Sequence, residues 1–114
     1  MYAVIVWWNL RDSEQTIESL RSFLRDEAVD RFATVPGLRL KVWISDRATN
    51  RWGAVLLWES SHAAATVLPT RAAELIGYPP TARLTFDVEA TVEGRYDIDA
   101  LYGRGLALEG SAAQ

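Results

Sequence analysis

The sequence predicts an α+β domain of ferredoxin-like order, β-α-β-β-α-β, with an antiparallel sheet and its helices on one face. Three stretches predict it. Residues 2–10 are β-branched and aromatic with hardly a polar atom. Residues 17–32 carry an apolar stripe at steps of three and four. Residues 36–68 read as strand, turn, strand and the start of a second helix.

Taken in order, residues 2–10 form a central strand whose two sets are Tyr2, Val4, Val6, Trp8 and Ala3, Ile5, Trp7, Asn9. Asp12 or Ser13 can cap the helix that follows, with Gln15 as capping-box partner of Asp12. Ile17, Leu20, Leu24, Ala28 and Phe32 make its buried stripe, while Glu18, Arg21, Arg25, Asp26 and Asp30 make a solvated face. Pro36 and Gly37 end it.

Leu38, Leu40, Val42 and Ile44 then alternate with Arg39, Lys41, Trp43 and Ser45, the period of a half-buried strand. Residues 46–51 turn the chain, and residues 52–59 run almost wholly apolar. Ser60 or Ser61 caps a second helix that Pro69 interrupts, with a short continuation over residues 71–76 capped by Thr70. Gly77 and the Pro79-Pro80 pair lead into a fourth strand over residues 81–93, alternating Leu84, Phe86, Val88, Val92 with Arg83, Thr85, Asp87, Glu89, Thr91. The domain therefore covers residues 1–93. Residues 94–114 form a tail that packs on the barrel or on a partner subunit, its last residues disordered.

Composition removes several classes of function. The net charge of −3 gives no attraction for nucleic acid or anionic lipid, and no apolar run reaches the ~18 residues of a bilayer span. With no cysteine there is no disulfide framework or thiolate chemistry, which fits a reducing, cytoplasmic setting. The N-terminus lacks a positive leader and a small-residue cleavage site, so it reads as strand and not signal peptide. There is no phosphate loop, dinucleotide fingerprint or Ser-His-Asp arrangement. Five tryptophans in 114 residues either build a core or line a pocket.

If Leu38, Leu40, Val42, Ile44, Leu84, Phe86 and Val88 face the helices, then Arg39, Lys41, Trp43, Arg83, Thr85, Asp87 and Glu89 face the other way. Strands one and three are apolar on both sides. Asn9 argues for Trp7 and Asn9 outward, and Trp52, Ala54, Leu56 and Trp58 are placed outward with them. Four tryptophans then sit on the uncovered face. Such a surface calls for a second copy in a two-fold dimer, packed face to face or closed into a shared barrel, or for cover by the tail.

The hairpin PGLRLKVWISD…WGAVLLWESSHAAA and the terminal LTFDVEATVEG resemble the dimeric α+β barrel superfamily over residues 1–93. The nearest branch is the YdhR-type group among the antibiotic-biosynthesis monooxygenase-like domains. The Trp58-Glu59-Ser60 junction before an alanine-rich helix is the most specific part. It marks a strand-to-helix corner, and so speaks for fold more than for reaction. The resemblance implies a homodimer and, by analogy, a cofactor-independent monooxygenase acting on a small phenolic, quinol or polyketide-like substrate. Isomerases, lyases and haem-degrading enzymes share the superfamily, as do proteins with no known activity, and an isomerase or cyclase acting on a similar substrate is the alternative. Residues 68–78 contain no histidine to bind haem iron, which argues against that branch.

The expected substrate-binding set is Trp7, Asn9, Arg39, Trp43, Trp52 and Trp58: indoles as walls, Asn9 and Arg39 to orient oxygens. The alternative makes the indoles core or dimer packing, with a non-catalytic module as the outcome. Asp87 and His62, the only histidine, are the candidate proton acceptors. A salt-bridged strand face and an exposed helix start are the plainer readings of the two. One histidine and scattered carboxylates give no metal site, and no cofactor is expected. Tyr96 and Tyr102 either close a pocket mouth or anchor the tail.

Overall fold

The computed structural model describes residues 1–65, 71–94 and 104–109. Pro69, the Thr70 cap, Tyr96, Tyr102 and the last five residues lie outside the described residues. Among those described, the elements are β1 (Tyr2–Asn9), α1 (Ile17–Phe23), a π-helical segment (Leu24–Ala28), α2 (Val29–Phe32), β2 (Leu38–Asp46), β3 (Arg51–Trp58), α3 (Ser61–Ala64), α4 (Arg71–Ile76), β4 (Ala82–Asp87) and α5 (Leu106–Glu109). The four strands form one antiparallel sheet in the order β2-β3-β1-β4, so the ferredoxin-like expectation holds. No helix among the described residues is long and apolar enough to cross a membrane.

The helix over residues 17–32 is nearly continuous, and its pitch matters. Leu20, Leu24, Ala28 and Phe32 recur every fourth residue, a spacing that drifts around an α-helix of 3.6 residues per turn. The wider π turn at Leu24–Ala28 absorbs that drift and keeps Leu24 and Ala28 buried against the sheet. The cap is Thr16, one turn later than expected. Its hydroxyl accepts the Ser19 backbone N–H at 3.1 Å, and the Ser19 hydroxyl accepts that of Thr16 at 2.8 Å. Ser13 instead ties this region to α4, donating to the Ile76 carbonyl at 2.8 Å.

The register corrects the expected faces. Reading across the sheet from β2 to β4, one side carries the rows Leu40, Leu57, Ala3, Phe86; Val42, Val55, Ile5, Leu84; and Ile44, Gly53, Trp7, Ala82. This side is uncovered: Val42 is 43% exposed and Phe86 49%. The side under the helices carries Trp43, Ala54, Val6, Arg83 and, beside them, Lys41, Leu56, Val4, Thr85. Leu40, Val42, Ile44, Leu84 and Phe86 thus face away from the helices, and Trp43, Trp52 and Trp58 face toward them, the reverse of the sequence expectation. Trp7 and Asn9 lie on the open side as expected.

Two local features permit this. A β-bulge between Leu38 and Leu40 places two residues of β2 against one of β3, so Leu38 packs on the helix side beside Trp58 while Leu40 points the other way. Gly53 lets β1 and β3 approach closely: a Cβ there would fall 2.2 Å from the Val6 carbonyl oxygen and 2.8 Å from Trp7 Cβ.

The core lies between sheet and helices in two adjoining clusters. One joins Trp8, Leu10, Leu20, Leu24, Trp52 and Ile76, and the other joins Val4, Ala54, Leu56 and Trp58. The Trp8 indole N–H donates to the Tyr78 carbonyl at 3.0 Å, and the Tyr78 hydroxyl donates to the Asn9 carbonyl. Strand β4 ends at Asp87, short of the expected residue 93. Of the tail, α5 rests on α1 and the π segment, with Ala107 buried and its carbonyl accepting Arg25 Nη1 at 2.9 Å. The described part of the tail therefore covers helices and not the open sheet face.

Candidate functional site

Small side chains at the centre of the covered face leave space there. Val4, Val6 and Ala54 form the floor, with Trp52 and Trp58 at either end of β3 and Trp43 at the side. Opposite them the helices present Ala28, Ala64, Ala72 and Ala73. Large rings around a ring of alanines enclose a cavity of about 320 Å³. That volume falls at the lower end of the usual range for small-molecule sites, about 300–1,000 Å³.

Phe32, Lys41, Trp43 and Trp52 also border a larger groove of about 850 Å³, which runs between β2, the long helix and the segment at Arg104–Leu108. Phe32 meets Trp43 edge-on, ring centroids 5.6 Å apart at 84°. Lys41 Nζ stands 3.4 Å from the Phe32 ring centroid and 4.6 Å from that of Trp43. Lys41 therefore sits in the partition between groove and cavity.

The charge in these linings is of one sign. Arg21, Arg39 and Arg104 border the groove, Arg31, Arg71 and Arg83 the cavity, and Lys41 both. That is seven of the twelve Lys and Arg in a chain of net charge −3, and among the described residues no carboxylate borders either space. Arg39 is paired with Glu59 at 3.2 Å, and Arg71 with Glu74 at 3.6 Å and Glu27 at 3.8 Å. Neither Lys41, Arg31 nor Arg83 has an ion-pair partner among the described residues.

Burial pushes the Lys41 amine down from its ordinary 10.5 to about 7. The faces of Phe32 and Trp43 attract a cation and oppose that shift without cancelling it. The sign of the effect on stability follows. Below about pH 7 the folded and unfolded chains both carry the proton, and the full cost of a desolvated ammonium is present. Between about 7 and 10.5 the unfolded chain holds more protons, so stability rises with pH. Lys41→Met should flatten this rise, by at most about 1.4 kcal/mol for each pH unit. Urea denaturation of both proteins across that range measures the difference; superimposable pH profiles would contradict the burial.

Of the residues expected from the sequence, the structure brings Trp43, Trp52 and Trp58 together around the cavity. Arg39 borders the groove only. Trp7 lies on the open face with the Arg51 guanidinium 5.3 Å from its ring centroid. Asn9 is engaged structurally, its side-chain oxygen accepting the Arg11 backbone N–H at 2.9 Å. His62 is exposed in the first turn of α3, and Asp87 is exposed at the end of β4; neither lines the cavity. The residues that sequence reading missed are Lys41, Arg31, Arg71 and Arg83. One signal was present for Lys41: it is the only lysine in the chain. No group of three or more His, Cys, Asp or Glu suited to a metal occurs among the described residues.

A four-stranded antiparallel sheet of this order, backed on one face by helices, defines a ferredoxin-like α+β fold. A solved structure of this kind is that of a variant of SnoaB, a cofactor-independent oxygenase from Streptomyces nogalater. It aligns over 82% of this chain and 97% of its own with a TM-score of 0.54 and 14% sequence identity, a likeness that establishes fold alone. No family model and no curated protein sequence matches the chain.

Proposed function

We infer that the chain is one protomer of a homodimeric α+β barrel that works in the cytoplasm as a cofactor-independent monooxygenase on a small aromatic, phenolic or quinol-like substrate. The observation that carries this reading is the tryptophan-walled cavity between sheet and helices, in a fold shared with a cofactor-independent oxygenase. Trp43, Trp52 and Trp58 clamp a flat ring and exclude water, and Arg39 meets the substrate at the groove. The uncovered apolar rows form the contact between protomers.

In this chemistry the substrate is its own reductant. Loss of a proton yields an electron-rich anion, which passes electrons to dioxygen; an activated methylene then becomes a carbonyl while the second oxygen atom leaves as water. The protein has to bind the ring, keep water out and stabilise the anion. Asp87 and His62, the residue types suited to taking that proton, stand outside the cavity, so the proton step falls to a group that lines it.

The test uses anthrone and 1,4-naphthohydroquinone. Both should quench tryptophan emission saturably, and oxygen uptake with anthrone, which carries the activated methylene, should exceed autoxidation by about 100-fold or more, the range of positioned acid-base catalysis. Saturable quenching without oxygen uptake would leave a binding protein and sink the oxygenase. Absence of quenching would remove the cavity as a site.

A further inference from the structure

The cavity is cationic without being hydrophilic, and among the described residues that line it Lys41 is the one amine. We propose that Lys41 is a catalytic base of this site, taking the proton from an acidic phenol or enol of a flat aromatic ligand and holding the resulting oxyanion as its counter-ion. This deepens the preceding reading and rests on the cavity being the ligand site.

The geometry makes the argument. The Lys41 side chain rises from β2 beside the rings of Phe32 and Trp43, where it borders both the groove and the cavity. Its amine has no carboxylate partner among the described residues, so an acidic ligand meets no competitor. In the transfer, the ligand O–H bond breaks with its electron pair left on oxygen, and an N–H bond forms at Nζ. Neutral amine and neutral acid become ammonium and oxyanion, and net charge is unchanged. Either ion alone is costly in an apolar cavity; side by side, each compensates the other.

Among the described residues, the other charged groups lining the groove and the cavity are all cations, two of them, Arg39 and Arg71, already paired with carboxylates. They are Arg21 on α1, Arg31 on α2, Arg39 on β2 itself, Arg71 on α4, Arg83 on β4 and Arg104 ahead of α5. Glu18, Asp26, Glu27, Asp30 and Glu74 on the same helices line neither space. Burial adds to this by holding the free amine near neutrality, ready to accept a proton. An arginine in its place would supply charge but no base, since its guanidinium never gives up its proton.

The probes are 3-nitrophenol, whose phenolate absorbs in the visible, and its neutral methyl ether 3-nitroanisole. They are used just above neutral pH, where free 3-nitrophenol is mostly protonated. On wild-type protein, bound 3-nitrophenol should ionise, its apparent pKa falling by at least about one unit, tenfold in ionisation. An indicator dye should show the proton retained by the protein. Lys41→Met should bind 3-nitroanisole as wild type does, yet leave 3-nitrophenol un-ionised. Lys41→Arg should still ionise it but release a proton to solution for each probe bound.

Equal ionisation on wild type and Lys41→Met, or equal proton release by wild type and Lys41→Arg, would overturn the role of Lys41. Binding of 3-nitroanisole in those experiments would show that the cavity reading survives. If neither probe quenches tryptophan emission, the cavity reading itself has failed and this proposal falls with it.

Discussion

Replacing Trp58 by alanine is expected to cost about 3–5 kcal/mol of folding stability. The indole is 1% exposed, at the end of the β3 row where β2, the start of β1 and α3 converge on it. Its loss removes transfer energy and leaves a void that the neighbouring cavity enlarges, because Val4, Ala54 and Ala64 are too small to fill it. A domain of this size has about 5–15 kcal/mol in all, so the variant should sit near the edge of folding at 25 °C. Urea titration measures it: the midpoint should fall steeply at unchanged slope. Trp58→Phe should lose less than half as much, since a six-membered ring still spans most of the gap. Indole in solution should raise the midpoint of the alanine variant more than that of wild type, by binding the void. A loss below about 1 kcal/mol would mean that the ring is not packed as described.

Val55→Glu should act on assembly and not on the core. Val55 lies in the middle of the open face, in the row with Val42, Ile5 and Leu84, and none of the twelve side chains in the three rows is charged. In the proposed dimer each copy presents this row to the other, so a two-fold axis introduces the carboxylate twice. An unpaired carboxylate there costs several kcal/mol if it stays ionised, and protonates or separates the interface otherwise. The dimer should weaken by at least about 100-fold, or about 3 kcal/mol. Sedimentation velocity should show a dimer for wild type and a monomer for the variant, with helical content preserved. A monomeric wild type would remove the dimer from the proposal while leaving the cavity in place.

The order of elements was legible because it depends on periodicity alone. The helix stripe from Ile17 to Phe32, the alternation in β2 and β4 and the turn at residues 46–51 each appear in the structure near their expected positions. The faces were not legible, for a physical reason. Alternation tells which residues share a side, and the usual rule then sends the greasier side to the helices. Here one side of the sheet is covered by helices over a cavity, and the other carries three rows without a charge before the polar row Asp46, Arg51, Asn9. The mixed set Lys41, Trp43, Arg83, Thr85 therefore lies on the helix side, with Arg83 and Thr85 exposed at its β4 edge, and the apolar set lies on the other. The abundance of indole left core and pocket as alternatives, and three of the indoles expected on the open face lie on the helix side instead. Lys41 was passed over because a lysine in an alternating strand is ordinarily a solvated one.

The irregularity at the start of β2 carries one more implication, for how this chain tolerates changes in length. Arg39 is the surplus residue against Leu57 and Trp58, so excising it would straighten the strand and leave the partners of Lys41, Val42, Trp43 and Ile44 as they are. Excising a residue from 41 to 45 would instead flip the part of the strand on one side of the gap to the opposite face. A single codon lost at one site spares the pairing, at the cost of the Arg39 side chain; two positions further on, it disturbs which side chains meet the helices.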